Sequence, residues 1–151
     1  MRYHCFITDY DGTLASDDRV IPEAVQALRQ LKATGRKLIL VTGRQLEELK
    51  TVFPEYSLFD RIVADNGAVL YRPPTMETEL LGVPPPRTFV RLLQKQNVPV
   101  SEGHVIVAGW EPHQGAILDA IRATGLEYQV IFNKGAVMVL PPGVNKATGL
   151  R

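Results

Sequence analysis

Apolar positions in this chain follow two alternating patterns. Between Val20 and Gly35 they recur at helical spacing, as Ile21, Val25, Leu28 and Leu31, with Pro22 suited to a first helical turn and Gly35 to the residue after the last. On either side lie short continuous apolar runs, Cys5 to Thr8 and Lys37 to Val41, as expected of strands buried on both faces of a parallel sheet. Strand, helix, strand is a βαβ unit. A second helix over about Gln45 to Val52 and a third run, Arg61 to Ala64, continue the alternation. The pattern therefore predicts an α/β fold with a doubly wound, Rossmann-like parallel sheet.

The pattern changes after Asp65-Asn66-Gly67, a turn sequence followed by the apolar run Ala68 to Tyr71, which reads as a hairpin. Prolines then punctuate the chain at Pro73-Pro74 and Pro84-Pro85-Pro86. Beyond them the spacing predicts a helix from about Pro85 to Gln96, a strand His104 to Ala108, a helix His113 to Thr124, and strands Tyr128 to Phe132 and Ala136 to Leu140. Pro141-Pro142-Gly143 closes this stretch. The expected organisation is a first part of a core over 1–72, an inserted α/β cap over 73–140, and a return to the core over 141–151. The core is expected to be incomplete at its C-terminal side.

Composition narrows the class of protein without naming a function. The chain has 151 residues, 45% hydrophobic, with 17 Lys and Arg against 16 Asp and Glu. This excludes disorder and collagen-like repeats, and a net charge of +1 gives no electrostatic reason to expect nucleic acid or an anionic membrane. No apolar run reaches the ~18 residues of a membrane helix. Met1-Arg2-Tyr3-His4 leads directly into a short strand, without the apolar region and small-residue cleavage site of a signal peptide. The expected location is cytoplasmic. Cys5, the single cysteine, is expected to be a small core residue in a reducing compartment.

Candidate chemistry sits at the strand ends. Asp9-Tyr10-Asp11-Gly12-Thr13-Leu14 follows the first strand, and the carboxyl ends of strands line the ligand crevice of open α/β sheets. Alternation along an extended chain sends the side chains of Asp9 and Asp11 in similar directions. Two carboxylates held so close either share a proton or bind a cation, and oxygen-rich sites suit Mg²⁺. Gly12 allows a tight turn that brings backbone N–H groups towards an anion. Val41-Thr42-Gly43-Arg44 ends the second strand and opens a helix, where a hydroxyl and amides can hydrogen-bond phosphate oxygens. The three histidines lack the spacing of a zinc site.

Asp-x-Asp-Gly-Thr-Leu after an N-terminal strand resembles the first motif of the haloacid dehalogenase superfamily, which consists mostly of phosphohydrolases. The resemblance implies that Asp9 is the nucleophile, that Asp11 is the general acid and base, and that Mg²⁺ contacts Asp9 and the Asp11 backbone carbonyl. Thr42-Gly43 resembles the second motif, making Thr42 a phosphate ligand, while Arg44 reads as a surface or ion-pairing residue. Gly143-Val144-Asn145-Lys146-Ala147 resembles the stretch carrying the third-motif lysine of the Cof-type, or type IIB, branch. Lys146 would then neutralise charge on the phosphoryl group and on Asp9. Asp65-Asn66-Gly67-Ala68 is similar to a signature that precedes the cap in this branch, and Asn66 is expected to face substrate. An insert between the second and third motifs implies a C2-type cap, with Trp110-Glu111-Pro112-His113 and Asn133-Lys134 as candidate substrate contacts.

The family continues past its lysine with a helix and an aspartate-bearing strand that completes the Mg²⁺ shell, and no such stretch follows Lys146 here. The expectation is an N-terminal portion of a longer protein or an unusual truncated form, with resemblance to the N-terminal region of bacterial proteins in which an ATPase domain follows. A first strand left at the edge of such a sheet could pair two copies into a dimer. The expected function is Mg²⁺-dependent hydrolysis of a small phosphorylated metabolite, such as a sugar phosphate, through an aspartyl-phosphate. The alternatives are a non-catalytic regulatory module that binds a phosphorylated ligand, an inactive N-terminal fragment of a larger haloacid dehalogenase protein, and, last, a Rossmann-type nucleotide binder. The last is disfavoured because no Gly-x-Gly-x-x-Gly follows the first strand.

Overall fold

In the computed structural model, which describes residues 3–151, the expected alternation of strands and helices forms the first half of the chain. Strands β1 (Cys5–Asp9), β2 (Lys37–Val41) and β3 (Arg61–Ala64) run parallel, with Ile7 opposite Ile39 and Leu40 opposite Ile62. Helix α1 (Pro22–Ala33) links β1 to β2, and α2 (Leu46–Val52) with a 3₁₀ turn at Pro54–Leu58 links β2 to β3. Pro22 opens α1, where its missing N–H costs nothing, and Gly35 follows its end at φ +84°.

A three-residue turn at Asp65–Gly67 reverses the chain, so β4 (Val69–Arg72) and β5 (Glu77–Leu80) join antiparallel and the sheet is mixed, in the order β1-β2-β3-β4-β5. Residues 77–80 fall in the segment the sequence assigns to the insert, yet they pair with β4 in the first sheet. All four residues of β5 are exposed and two are glutamates, as suits a charged edge strand, and such a strand leaves no apolar run to detect.

The second sheet has the order β6-β7-β9-β8 and is antiparallel throughout. Its strands are β6 (Ser101–Glu102), β7 (Val107–Trp110), β8 (Gln129–Asn133) and β9 (Ala136–Leu140), with helices α3 (Arg87–Lys95) and α4 (Gln114–Thr124) packed on one face. The two-residue period of β9 explains how the layers join. Val137 and Val139 cluster with Phe89, Leu93 and Ile117, while Met138 and Leu140 join the core cluster of the first sheet. A short helix, α5 (Lys146–Gly149), follows β9.

Leu38, Leu40 and Ile62 are fully buried on the α1/α2 face of the first sheet, beside Tyr10, Phe53 and Phe59. The other face carries a smaller cluster of Val41, Val63 and Leu70, with α5 against β3. β1 departs from the expectation of burial on both faces. It is an edge strand, its Cys5 is exposed rather than in the core, and Ile7 is 50% exposed. Neither of these side chains meets a covering layer among the described residues, so an apolar run alone did not ensure burial. No helix of the described residues is long and apolar enough to cross a membrane.

Candidate active site

The C-terminal ends of β1 and β2 and the first turn of α5 meet below the second sheet. They border a cavity of about 660 Å³ lined from the core by Asp9, Asp11, Gly43, Arg44, Asn66 and Lys146. From the second sheet Trp110, Phe132, Asn133 and Lys134 line it. Sequence positions as distant as 9 and 146 are thus brought together by β1 and by the Asn145 cap of α5. The Asn145 side chain accepts from the Thr148 backbone N–H, and the Thr148 hydroxyl accepts from Asn145 N–H in return, which fixes the start of that helix.

Asp9 is held at both carboxylate oxygens. Its Oδ1 accepts from the Tyr10 backbone N–H at 2.8 Å, and its Oδ2 accepts from Lys146 Nζ, also at 2.8 Å. Both side chains remain about 40% exposed towards the cavity, so an arriving ligand can reach them. A carboxylate fixed by two donors and paired with an ammonium has the geometry that a nucleophile and its electrostatic stabiliser require.

Asp11 makes a different pair. Arg44 donates to it from Nε at 3.0 Å and from Nη2 at 2.7 Å, a bidentate grip that holds the Asp11 carboxyl below its ordinary 3.8. Arg44 also donates to Asp18 and, at 2.8 Å, to Glu48, while its guanidinium lies 5.4 Å from the centre of the Tyr10 ring. Its own pKa is pushed up by the bond to Asp11. Asp9 and Asp11 therefore each carry a separate basic partner, and among the described residues no group of three or more His, Cys, Asp or Glu side chains is placed to hold a metal.

Two predicted phosphate contacts lie elsewhere. Thr42 is fully buried, with its hydroxyl accepting from Arg44 N–H at 3.0 Å, so it shapes the turn beneath the cavity without lining it. Gly12, at φ +72°, donates its N–H to Ala15 O at 3.0 Å and borders a separate groove with Thr13 and Ser16. Of the candidate contacts in the second sheet, Trp110, Asn133 and Lys134 line the cavity, whereas Glu111, Pro112 and His113 do not.

The sequence gives no sign of the role of Asp65. It is fully buried, and its carboxylate accepts from Leu46 N–H at the start of α2 and from Val105 and Ile106 N–H before β7. Burial pushes its pKa up, against the pull of these three N–H groups. A second tether joins the Gln45 amide to Ser101, with Ser101 Oγ donating to Oε1 at 2.9 Å and Nε2 donating to Ser101 O at 3.2 Å. Val105 and Ile106, read from sequence as strand, are thus buried loop residues whose amides serve Asp65 and whose side chains join the core.

The sequence model of a family described as haloacid dehalogenase-like hydrolase matches residues 6–100. A protein of Bacillus subtilis that carries a phosphatase name, YxeH, is 35% identical over 79 residues, covering 50% of this chain and 29% of that one. A phosphoglycolate phosphatase of Sulfolobus acidocaldarius is 34% identical over 68 residues, covering 43% of this chain and 30% of the relative. The matched segments thus span less than a third of the curated relatives' lengths. Among solved structures, a haloacid dehalogenase-like hydrolase from Bacteroides thetaiotaomicron superposes with a TM-score of 0.75 at 15% identity, over 99% of this chain and 75% of that one. A sugar phosphatase of haloacid dehalogenase subclass IIB superposes with a TM-score of 0.68 at 17% identity, over 98% and 74% of the two chains. At such identities the structural likeness establishes the fold.

Proposed function

The chain belongs to the haloacid dehalogenase-like hydrolase family, and on that premise we propose that the protein hydrolyses a small phosphomonoester, with Mg²⁺ bound, through a phosphorylated Asp9. The observation that carries this reading is Asp9 itself, at the C-terminal end of β1, open to the cavity and bonded at 2.8 Å to Lys146. The names of the two curated relatives point the same way.

The donor set fits Mg²⁺, which takes one or two carboxylates, keeps several waters and shares phosphate oxygens with its substrate. Asp9 and Asp11 would hold it. Four carboxylates, of Asp9, Asp11, Asp18 and Glu48, line the cavity against three cations, of Arg44, Lys134 and Lys146. That surplus of negative charge repels a phosphate dianion, and a bound divalent cation would reverse it and offset repulsion between Asp9 and the phosphoryl group.

A lone pair of the Asp9 carboxylate attacks phosphorus, and the ester P–O bond breaks as the leaving oxygen takes a proton from Asp11. Water then attacks the phosphoryl group and gives a proton to Asp11, the bond from phosphorus to Asp9 breaks, and inorganic phosphate leaves. Lys146 stabilises charge on both the phosphoryl oxygens and Asp9. The grip of Arg44 favours the ionised form of Asp11, and so opposes the protonated form that the acid half of the cycle requires.

Asn66 and the residues of the second sheet face the organic part of the substrate in this reading, and that sheet acts as a cap that excludes water. The test is phosphate release from aryl and sugar phosphates with Mg²⁺, in the wild type and in Asp9→Asn. The variant is expected to lose roughly 10³-fold or more of the rate. Full activity in Asp9→Asn would sink the assignment, and ligand binding without turnover in the wild type would favour a binding module.

A further inference from the structure

We propose that Lys134, at the tip of the β8–β9 hairpin, reads a second anionic group on the substrate, a carboxylate or a second phosphate, remote from the phosphoryl group that Asp9 attacks. The inference rests on the phosphomonoester reading of the site and names the class of substrate.

The first observation is the backbone. Asn133 and Ala136 are paired, and the two residues between them, Lys134 and Gly135, have φ +49° and +81°, the pattern of a type I′ turn. The first position of such a turn suits Asn, Asp or Gly, and a long side chain takes it at an energetic cost. Residues kept in an unfavourable conformation cluster where a site needs them.

The second observation is charge. Among the cations lining the cavity, Arg44 is engaged by Asp11, Asp18 and Glu48, and Lys146 by Asp9. Lys134 makes no ion pair among the described residues, yet it lines the same cavity.

The third observation is the neighbours. Trp110, 45% exposed, lines the cavity and is paired with Ala136, next to the turn that carries Lys134. Its face suits the C–H surface of a carbon chain or sugar running between the two charged ends. Asn133 adds an amide that can hydrogen-bond hydroxyls.

The experiment compares three ligands sharing one chain: sorbitol 6-phosphate, 6-phosphogluconate and sorbitol 1,6-bisphosphate. Affinity is measured by calorimetry with Mg²⁺ on the wild type and on Lys134→Asn. Because Asn is favoured at this turn position, the variant is expected to fold at least as well as the wild type. To keep the ligands intact, both proteins also carry Asp9→Asn. The expected result is that at least one of the two ligands with a second anionic group binds about tenfold or more tighter than sorbitol 6-phosphate, and that Lys134→Asn removes this preference, weakening that ligand about tenfold more than it weakens sorbitol 6-phosphate. Which of the two ligands is preferred identifies the second anion as carboxylate or phosphate. Equal binding of all three, preference retained in Lys134→Asn, or no binding of any overturns the proposal. Turnover is read separately in proteins with Asp9 restored. Absent phosphate release with the preference intact refutes hydrolysis and leaves the role of Lys134 standing.

Discussion

Gly67 couples the turn before β4 to the loop that presents Lys146, and replacing it with alanine tests whether that packing sets the site. Gly67 has φ +104°, a region open essentially to glycine alone. A Cβ placed there would lie 1.9 Å from Asn145 O, 2.2 Å from its carbonyl carbon and 2.8 Å from Lys146 N. These are backbone atoms, so no side-chain rotation relieves the overlap. Reaching ordinary contact requires the Asn145–Lys146 backbone to retreat by about 1.5 Å, measured against the shortest ordinary separation of 3.4 Å. Such a retreat also draws Gly149, on the same helix, away from its close packing on Val63 and Gly67.

Two costs follow for Gly67→Ala. The left-handed backbone costs about 1–2 kcal/mol in any residue with a Cβ, and overpacking adds roughly 1–3 kcal/mol. Gly125→Ala supplies the control, since Gly125 has φ +65° but nothing within 4 Å of the built Cβ, so it carries the backbone cost alone. Equilibrium urea denaturation should therefore show Gly67→Ala less stable than Gly125→Ala by about 1–3 kcal/mol. Lys146 Nζ lies 2.8 Å from Asp9, and a shift of this size takes it out of hydrogen-bonding range. Phosphate release should fall about 100-fold in Gly67→Ala, in line with the cost of a 1 Å misplacement, and stay near wild type in Gly125→Ala. Equal denaturation midpoints for the two variants, with equal rates, would refute the claim that this contact positions the lysine.

Two further outcomes follow from the buried tether and the open edge. Asp65 has its pKa raised above 3.8 by burial, so the folded chain holds that proton more tightly than the unfolded chain. Its contribution therefore favours folding at acid pH and fades as the pH climbs from 3.8 through the raised folded value. Asp65→Asn turns an amide NH₂ towards backbone N–H donors, which should cost about 1–3 kcal/mol near pH 4. The gap should narrow towards neutral pH, and a gap that widens would reverse the assigned direction. The outer edge of β1 carries no strand partner among the described residues, and Ile7 is half exposed on it. Sedimentation should therefore depend on concentration in the wild type and not in Ile7→Lys, whereas two concentration-independent profiles would exclude pairing through this edge.

What the sequence reveals depends on whether a feature is local. Strands 37–41, 61–64 and 136–140 have the bounds that their apolar runs predict, because a buried strand must be apolar along its length. β5 escapes the same reading because an edge strand need not be apolar, and 104–106 mislead because a loop that satisfies a buried carboxylate can be as apolar as a strand. Asp9, Gly43, Asn66 and Lys146 are legible as a set through motif order, and they do line one cavity. The partners of Asp11 are not legible, because Arg44 meets it across 33 residues through side-chain geometry that no spacing encodes. The hydroxyl of Thr42 faces the same difficulty: whether it serves a ligand or its own turn depends on burial.

The division of labour between the two sheets follows from where they are tied together. Asp65 and the Gln45–Ser101 pair join them at the β6 side, and the Gln129 amide bonds Pro141 O at 2.8 Å and Val144 O at 2.6 Å at the base of β8. Each tether pairs buried or half-buried polar groups whose loss leaves donors or acceptors unsatisfied, so substitution there acts on stability. The β8–β9 turn lies at the opposite end of its strands, and among the described residues no side-chain hydrogen bond ties it to the first sheet. Residues at that end can change without unsatisfying any of these bonds, so the second sheet can vary there while Asp9 and Lys146 keep their geometry. In the proposed reading, the chemistry rests on the strand ends of one sheet and the selectivity on the turn of the other, which these tethers leave free.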